Sequence, residues 1–333
     1  MEWLAWIIVL MIVSAVLISA QARRAERANP PLGQFLEIEG VRLHYIERGR
    51  GQPLVLLHGN GSMIQDFLSS GLVALLSERY RVIVFDRPGY GYSTRPRGRS
   101  MNHRTQAHLI YRALRFLDVE RPVVIGHSWG TLAALGMAVQ YPAYVRSLVL
   151  MSGYYFPSLR LDVPVLSVPA IPIVGDLIRY TISPWLSRLL WPMLLRILFG
   201  PPETPQKFRD RFPLWMTLRP SQLRASAAES GLMIPAAAEL RHHYRELRMP
   251  ITIVAGANDR LVAADRHSLR LHKLLPHSEL RLMPGMGHMI HQLATEEVGA
   301  AIAAVAGRPD TALSAMRAAN PQSGMPGEFG WVR

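Results

Sequence analysis

Cysteine is absent from the 333-residue chain. Disulfides, thiolate catalysis and cysteine-ligated zinc or iron–sulfur sites are thereby excluded. Lysine is almost absent too, with Lys207 and Lys273 the only two, so arginine carries nearly all of the formal +13 charge. Such an excess raises nucleic acid or an anionic membrane as a partner. The basic residues are dispersed, however, and lack the aromatic interleaving of an RNA-binding surface, so no nucleic-acid partner is expected. One local cluster, Arg95, Arg97, Arg99 and Arg104, reads as a solvated loop. Apolar residues make up 49% of the chain and charged residues 18%, the balance of a globular protein.

Charge is also missing from Trp3 to Ala20, a run of 18 residues. As a helix it would cover about 27 Å, just enough for a bilayer core. Trp3 and Trp6 mark one end and Arg23, Arg24 and Arg27 follow the other. The pattern predicts a transmembrane anchor over residues 1–22 and a polar linker over 23–33. The arginine flank puts the globular part in the cytoplasm, against a bacterial-type inner membrane. A signal peptide cleaved near Ala22 is the alternative, which would export the domain. Glu2 in place of a basic start, and the length of the apolar run, speak against cleavage.

Beyond the linker, strand-like and helix-like segments alternate. "QFLEIEG" and "VRLHYIERG" alternate apolar and polar residues around Gly40 and predict an antiparallel hairpin. "PLVLLHG", "RVIVFDRPG", "PVVIGHS" and "VRSLVLMSG" are apolar runs of the kind buried on both faces of a parallel sheet. Helices are expected within 63–79, over about 104–118 and from "TLAALGMAVQY". Residues 154–250 break the alternation with prolines and helical pieces. It resumes with "ITIVAG", a helix at 263–274, "ELRLMPG" and a helix near 289–305. This organisation predicts a core split into 34–153 and 251–306, a helical cap at 154–250, and a disordered tail at 307–333, rich in Gly, Pro and Ser. Loops at the carboxyl ends of parallel strands build ligand sites, so the cap is placed to act as a lid.

Ser128 lies in Gly126-His127-Ser128-Trp129-Gly130, between a predicted strand and a predicted helix. This is the context that G-x-S-x-G requires: side chains two residues either side of the serine would collide in so sharp a turn. The serine then sits at a helix amino terminus, where backbone N–H groups favour negative charge. A serine needs a base, and His288 in "MPGMGHMIHQ" follows the last predicted strand; His291, three residues on, is the runner-up. Asp259 in "GANDRLV" follows another strand end and can orient the imidazole. Asp162 lies too far into the insertion. The oxyanion donors are expected to be the backbone N–H groups of Trp129 and Asn60, with Gly61 as runner-up to Asn60. His58 shapes that loop rather than transferring protons.

"LLHGNGS", "FDRPGYGYS", "GHSWG", "GANDRLV" and "GMGHMIHQ" occur in this order. The set resembles α/β-hydrolase-fold serine hydrolases of the esterase, haloperoxidase-like and C–C hydrolase group, over 34–153 and 250–306. The resemblance implies an α/β-hydrolase fold: a mostly parallel eight-stranded sheet, helices on both faces and a helical cap insertion. It implies Ser128, Asp259 and His288 as the catalytic triad, with no cofactor and no metal. Asp86 and Arg87 resemble a structural turn of the family. Related dehalogenases and epoxide hydrolases use an aspartate nucleophile, and serine at 128 argues against both. "HGN" nevertheless resembles the dehalogenase oxyanion loop, where an asparagine side chain holds halide.

The expected reaction is hydrolysis of a small-molecule carboxylic ester. C–C bond hydrolysis or perhydrolysis by the same residues is the alternative within enzymes. A small-molecule-binding or accessory protein on a hydrolase scaffold is the alternative outside them. "WLSRLLWPMLLRILF", Trp185 to Phe199, reads as a lid helix packed on the core, or as an interfacial face suited to a lipid-like ester.

Overall fold

The computed structural model describes residues 2–308. Eight strands form one sheet: β1 (Gln34–Ile38), β2 (Val41–Arg48), β3 (Pro53–Leu57), β4 (Arg81–Phe85), β5 (Val123–His127), β6 (Ser147–Met151), β7 (Ile251–Gly256) and β8 (Glu279–Met283). Their spatial order is β1-β2-β4-β3-β5-β6-β7-β8. β1 and β2 form the antiparallel hairpin that their alternation predicts, turning at Glu39 and Gly40, and β2 also runs antiparallel to β4. All other pairs are parallel.

Helices cover both faces, which is why the central strands are mostly apolar, with Ser147, Thr252 and His127 as buried exceptions. In β3, Val55 and Leu57 point to one core layer with Leu109, Ile110, Leu132 and Leu135 of helices His103–Phe116 and Gly130–Gln140. Leu54 and Leu56 point to the other, with Phe67, Leu72, Val298 and Ile302. The order reverses at β3: β4 lies on one side of it and β5 on the other. Connections leave this point in opposite directions, so a crevice opens at the carboxyl ends of β3 and β5, where open α/β sheets bind ligands.

Three helices differ in detail from their sequence pattern. The 63–79 segment is two helices, Ile64–Ser70 and Leu72–Ser77, because Gly71 adopts φ 87° and ends the first. Residues 263–274 begin with a π-turn at Asp265–Leu269 before the α-helix Arg270–Leu274. The last helical stretch breaks at Ala294 into Ile290–Leu293 and Thr295–Ala306.

Between β6 and β7 the described residues hold helices and no strand; the longest are Ser183–Phe199 and Pro220–Leu240. The amino-terminal segment is one helix, Glu2–Ala28, long and apolar enough to cross a membrane. It continues through Arg23, Arg24 and Arg27, where the sequence reads as linker, and the chain becomes irregular only after Ala28. The tail assigned from 307 lies outside the described residues beyond Arg308.

Candidate active site

β5 ends at His127, and the chain turns so sharply that Ser128 takes φ 51°. A residue other than glycine in this left-handed region is strained and has to be held there by its surroundings. Ser128 N–H donates to the Met151 carbonyl at 2.8 Å, and Thr131 Oγ1 donates to the Ser128 carbonyl at 2.7 Å. The flanking glycines are steric requirements. A Cβ on Gly126 would lie 2.7 Å from the Gly130 carbonyl oxygen, and one on Gly130 would lie 2.1 Å from that of Leu57. Ser128 itself stays partly exposed at the crevice, while its neighbours His127 and Trp129 are buried.

Asp259 and His288 meet from two different strand ends. Asp259 Oδ1 accepts the N–H groups of Leu261 and Val262 at 2.8 and 2.9 Å. These fix the carboxylate so that its other oxygen, Oδ2, accepts from His288 Nδ1 at 2.7 Å. With Nδ1 used in this way, His288 has Nε2 as its basic nitrogen. The loop carrying His288 crosses the end of β7 because Gly256 is bare: a Cβ there would lie 2.3 Å from the Met286 and Gly287 carbonyls. His127 Nε2 donates to the His288 carbonyl at 3.1 Å. The backbone of the candidate base is thus tied to the residue before Ser128.

The β3 loop is adjacent. A Cβ on Gly59 would approach the Ser128 Cβ to 3.1 Å. The Asn60 side chain is fully engaged: Oδ1 accepts from Tyr90 OH at 2.7 Å, and Nδ2 donates to the Ser226 carbonyl and Ser230 Oγ, both at 3.2 Å. It fastens the loop to the cap. Trp129 begins the helix Gly130–Gln140, where first-turn N–H groups have no intrahelical acceptor.

Arg87 does more than complete a turn. Its Nε donates to the His58 carbonyl at 2.7 Å and its Nη2 to the Gly59 carbonyl at 3.0 Å. The Gly59 carbonyl and the Asn60 N–H belong to one planar trans peptide and point in opposite directions. Holding the carbonyl therefore aims the N–H. Arg87 is paired in turn with Glu229 of the cap helix Pro220–Leu240, at 2.5 and 3.0 Å, and all of these side chains are buried. The Glu229 backbone carbonyl accepts from the Trp129 indole at 3.1 Å, and the Arg87 guanidinium lies 4.8 Å from the Trp129 ring centre. Sequence reasoning missed Glu229. Asp86 keeps the structural role its motif implies, accepting from Ile64 N–H, Tyr92 N–H and His44 Nδ1.

His291 does not join the Asp259–His288 pair. Its Nε2 donates to Asp66 Oδ1 at 3.0 Å, and Gln292 donates to the same oxygen at 2.9 Å. Burial alone would raise the Asp66 carboxyl, but His291, His127 and the Gln292 amide outweigh it and hold the acid well below its usual range. Asp66, His127 and His291 each offer a donor atom within 4.8 Å of the others, the spacing of a metal site. The Asp66 carboxylate is already taken by His291, Gln292 and Ser62, and His127 Nε2 by the His288 carbonyl. Asp66, His291 and Gln292 form one hydrogen-bonded group, and His127 bonds separately to the His288 carbonyl; Asp66 was also missed from sequence.

His58 supplies a pH test. Burial, reinforced by the Arg87 guanidinium, pushes its pKa down to about 4. The neutral ring fits its bonds, with Nδ1 donating to the Gly59 carbonyl at 2.8 Å and Nε2 accepting from Arg87 N–H at 3.0 Å. His267 is pushed down to about 4 for the same first reason, and its Nδ1 accepts from Tyr155 N–H at 3.1 Å. An unfolded histidine titrates near 6.5, so between about pH 6.5 and 4 the unfolded chain binds more protons than the native one. Stability from these groups is complete above about 6.5 and lost as pH falls toward 4. For His58 it amounts to about 3 kcal/mol. The thermal midpoint is expected to drop steadily across that window, and a flat profile would contradict a neutral His58.

Residues 52–294 match the family model described as alpha/beta hydrolase fold. The chain belongs to the α/β-hydrolase fold family. An uncharacterized protein of Mycobacterium tuberculosis is 28% identical over 276 residues, covering 78% of this chain and 76% of that protein. The 2-hydroxy-6-oxo-2,4-heptadienoate hydrolase of Pseudomonas putida is 26% identical, covering 79% of this chain and 91% of the relative. Among solved structures, a bacterial membrane phospholipase A has the same fold with a TM-score of 0.63 and 23% identity, covering 92% of this chain and all of that one.

Proposed function

We propose that the protein is a membrane-anchored serine hydrolase that cleaves a carboxylic ester of lipid-like character. The observation that carries the reading is the strained Ser128 elbow, whose preceding residue His127 bonds to the carbonyl of His288 in a buried Asp259–His288 pair. In this reading Ser128 Oγ attacks the ester carbonyl and its proton passes to His288 Nε2. Asp259 holds the ring and stabilises the imidazolium. The Asn60 and Trp129 backbone N–H groups receive the oxyanion. Collapse breaks the acyl C–O bond, and the His288 proton leaves with the alcohol. Water, deprotonated by His288, then attacks the acyl-enzyme and releases the acid and Ser128. Every step uses groups of this chain, without cofactor or metal.

The helix Glu2–Ala28 supports the anchor, and the arginines at its end favour a cytoplasmic hydrolase domain. The membrane phospholipase A supports the lipid-like substrate by architecture. A p-nitrophenyl ester series tests it. Each methylene seated in an apolar acyl site is worth about 1–3 kcal/mol, so kcat/KM should rise about fivefold or more per added carbon until the site is full. A profile that falls with chain length from acetate onward would contradict a lipid-like acyl group. The Pseudomonas putida relative supports a second reading, C–C hydrolysis by the same residues. Faster turnover of a 2-hydroxy-6-oxo-dienoate than of any ester would favour it.

A further inference from the structure

The helix Glu2–Ala28 is packed on the cap. Ser14 Oγ donates to the Thr181 carbonyl at 2.7 Å and accepts from the Trp185 indole at 2.9 Å. Ile18 is buried, Ala25 packs on Met63 and Met216, and Glu26 pairs with Arg219 at 2.8 Å. Before Met11 the helix touches little, and Trp3, Trp6 and Leu10 are 69% exposed. The surface beside it is equally apolar. Ile173, Ile182, Leu189 and Met193 of the cap are 82, 60, 75 and 54% exposed. The segments Val163–Ala170 and Val174–Thr181 meet at 93° and together have the length and hydropathy of a broken span or a re-entrant loop.

Depth along the helix decides what covers this surface. Ser14 lies six residues before Ala20, the end of the charge-free run, or about 9 Å along the axis. A bilayer core is about 30 Å thick, so when the run spans it, Ser14 lies well inside the hydrocarbon. Whatever bonds to the Ser14 side chain lies there too. That corner is suited to lipid: the Thr181 carbonyl and Trp185 N–H are satisfied by Ser14, and the Thr181 hydroxyl donates to the Leu177 carbonyl at 2.6 Å. Arg23, Arg24, Arg188 and Arg196 are exposed, with side chains long enough to reach lipid phosphates.

We propose that the cap segment 171–194 is immersed in the near leaflet alongside the helix, so that helix and cap form one lipid-facing surface. The proposal rests on the membrane reading of the helix. It commits to bilayer lipid as the occupant, since exposed apolar residues of the cap lie on helices packed beside a bilayer-length helix, with the charged Asp176 paired to Arg97 and Arg179, and Arg188 exposed. A second copy of the chain is the competing occupant.

The absence of cysteine makes the test clean. Leu10→Cys, Ile182→Cys, Leu189→Cys and Phe116→Cys would each carry a single environment-sensitive fluorophore on the full chain in phosphatidylcholine–phosphatidylglycerol vesicles. Phe116, 69% exposed, ends a helix on the opposite side of the sheet from the strand ends that carry the site. With acyl-brominated lipids, the labels at 10, 182 and 189 should lose most of their emission and the label at 116 none. Quenching at 10 but not at 182 and 189 would overturn the proposal. In that case, quenching of the cap labels by aqueous iodide would mean a cap in water, and shielding from both quenchers a second copy. No quenching at 10 would remove the membrane reading, and the proposal with it.

Discussion

Ser128→Ala is expected to lower ester kcat/KM by at least about 10⁴-fold, with an unchanged thermal midpoint. The size follows from the chemistry. Without Oγ there is no acyl-enzyme, and the remaining groups can only polarise a bound ester toward water. The oxyanion donors survive, so a residual rate above the uncatalysed one should persist. Folding should be spared because Ser128 is held through its backbone, by Met151 and by Thr131. Alanine keeps those bonds and meets the same φ. Steady-state kinetics and a melting curve on the same sample check both halves. A variant with ordinary turnover would place the nucleophile elsewhere.

Glu229→Gln should also lower activity, although Glu229 takes no part in the chemistry and lies on the cap, 142 residues in sequence from Arg87. The substitution leaves the buried Arg87 guanidinium without its carboxylate. Breaking one side of a buried ion pair costs about 3–5 kcal/mol. Arg95, with Nη1 3.8 Å from Glu229 Oε1, adds a second cation to be compensated. The catalytic effect should be separate. Arg87 and His58 Nδ1 both hold the Gly59 carbonyl, so an Arg87 without its carboxylate weakens one of the two bonds that aim the Asn60 N–H. Part of the effect of losing an oxyanion donor, about 10²-fold in kcat or less, is expected. KM should move much less, since the donor serves the transition state. A lowered melting midpoint with unchanged kcat would make Glu229 a purely structural residue.

The fold was legible in the sequence because each central strand is buried on both faces and is therefore mostly apolar, as "PLVLL" and "ITIVAG" are. Ser128, Asp259 and His288 were legible as residue types placed just after such strands. The glycine spacing around Ser128 carried its own physical reason, since Gly126 and Gly130 face backbone carbonyls at distances that no Cβ can occupy. Glu229 and Asp66 were not legible. Each lies within or beside an ordinary helical pattern, and its importance comes from partners distant in sequence: Arg87 for one, His291 for the other. The docking of the first helix was hidden for the same reason. Ser14 in an apolar run signals nothing until Thr181 and Trp185 are found beside it. The break at Gly71 needed only the left-handed preference of a glycine, which an apolar periodicity running through 63–79 obscured.

The central claim is that Ser128 is an activated nucleophile, and covalent labelling tests it most directly. The full chain, solubilised in detergent, would be treated with a fluorophosphonate probe and the modified peptide located by mass spectrometry. The account predicts one adduct, on Ser128, absent from Ser128→Ala and strongly slowed in His288→Ala. An adduct on another residue, or none on folded protein, would contradict it.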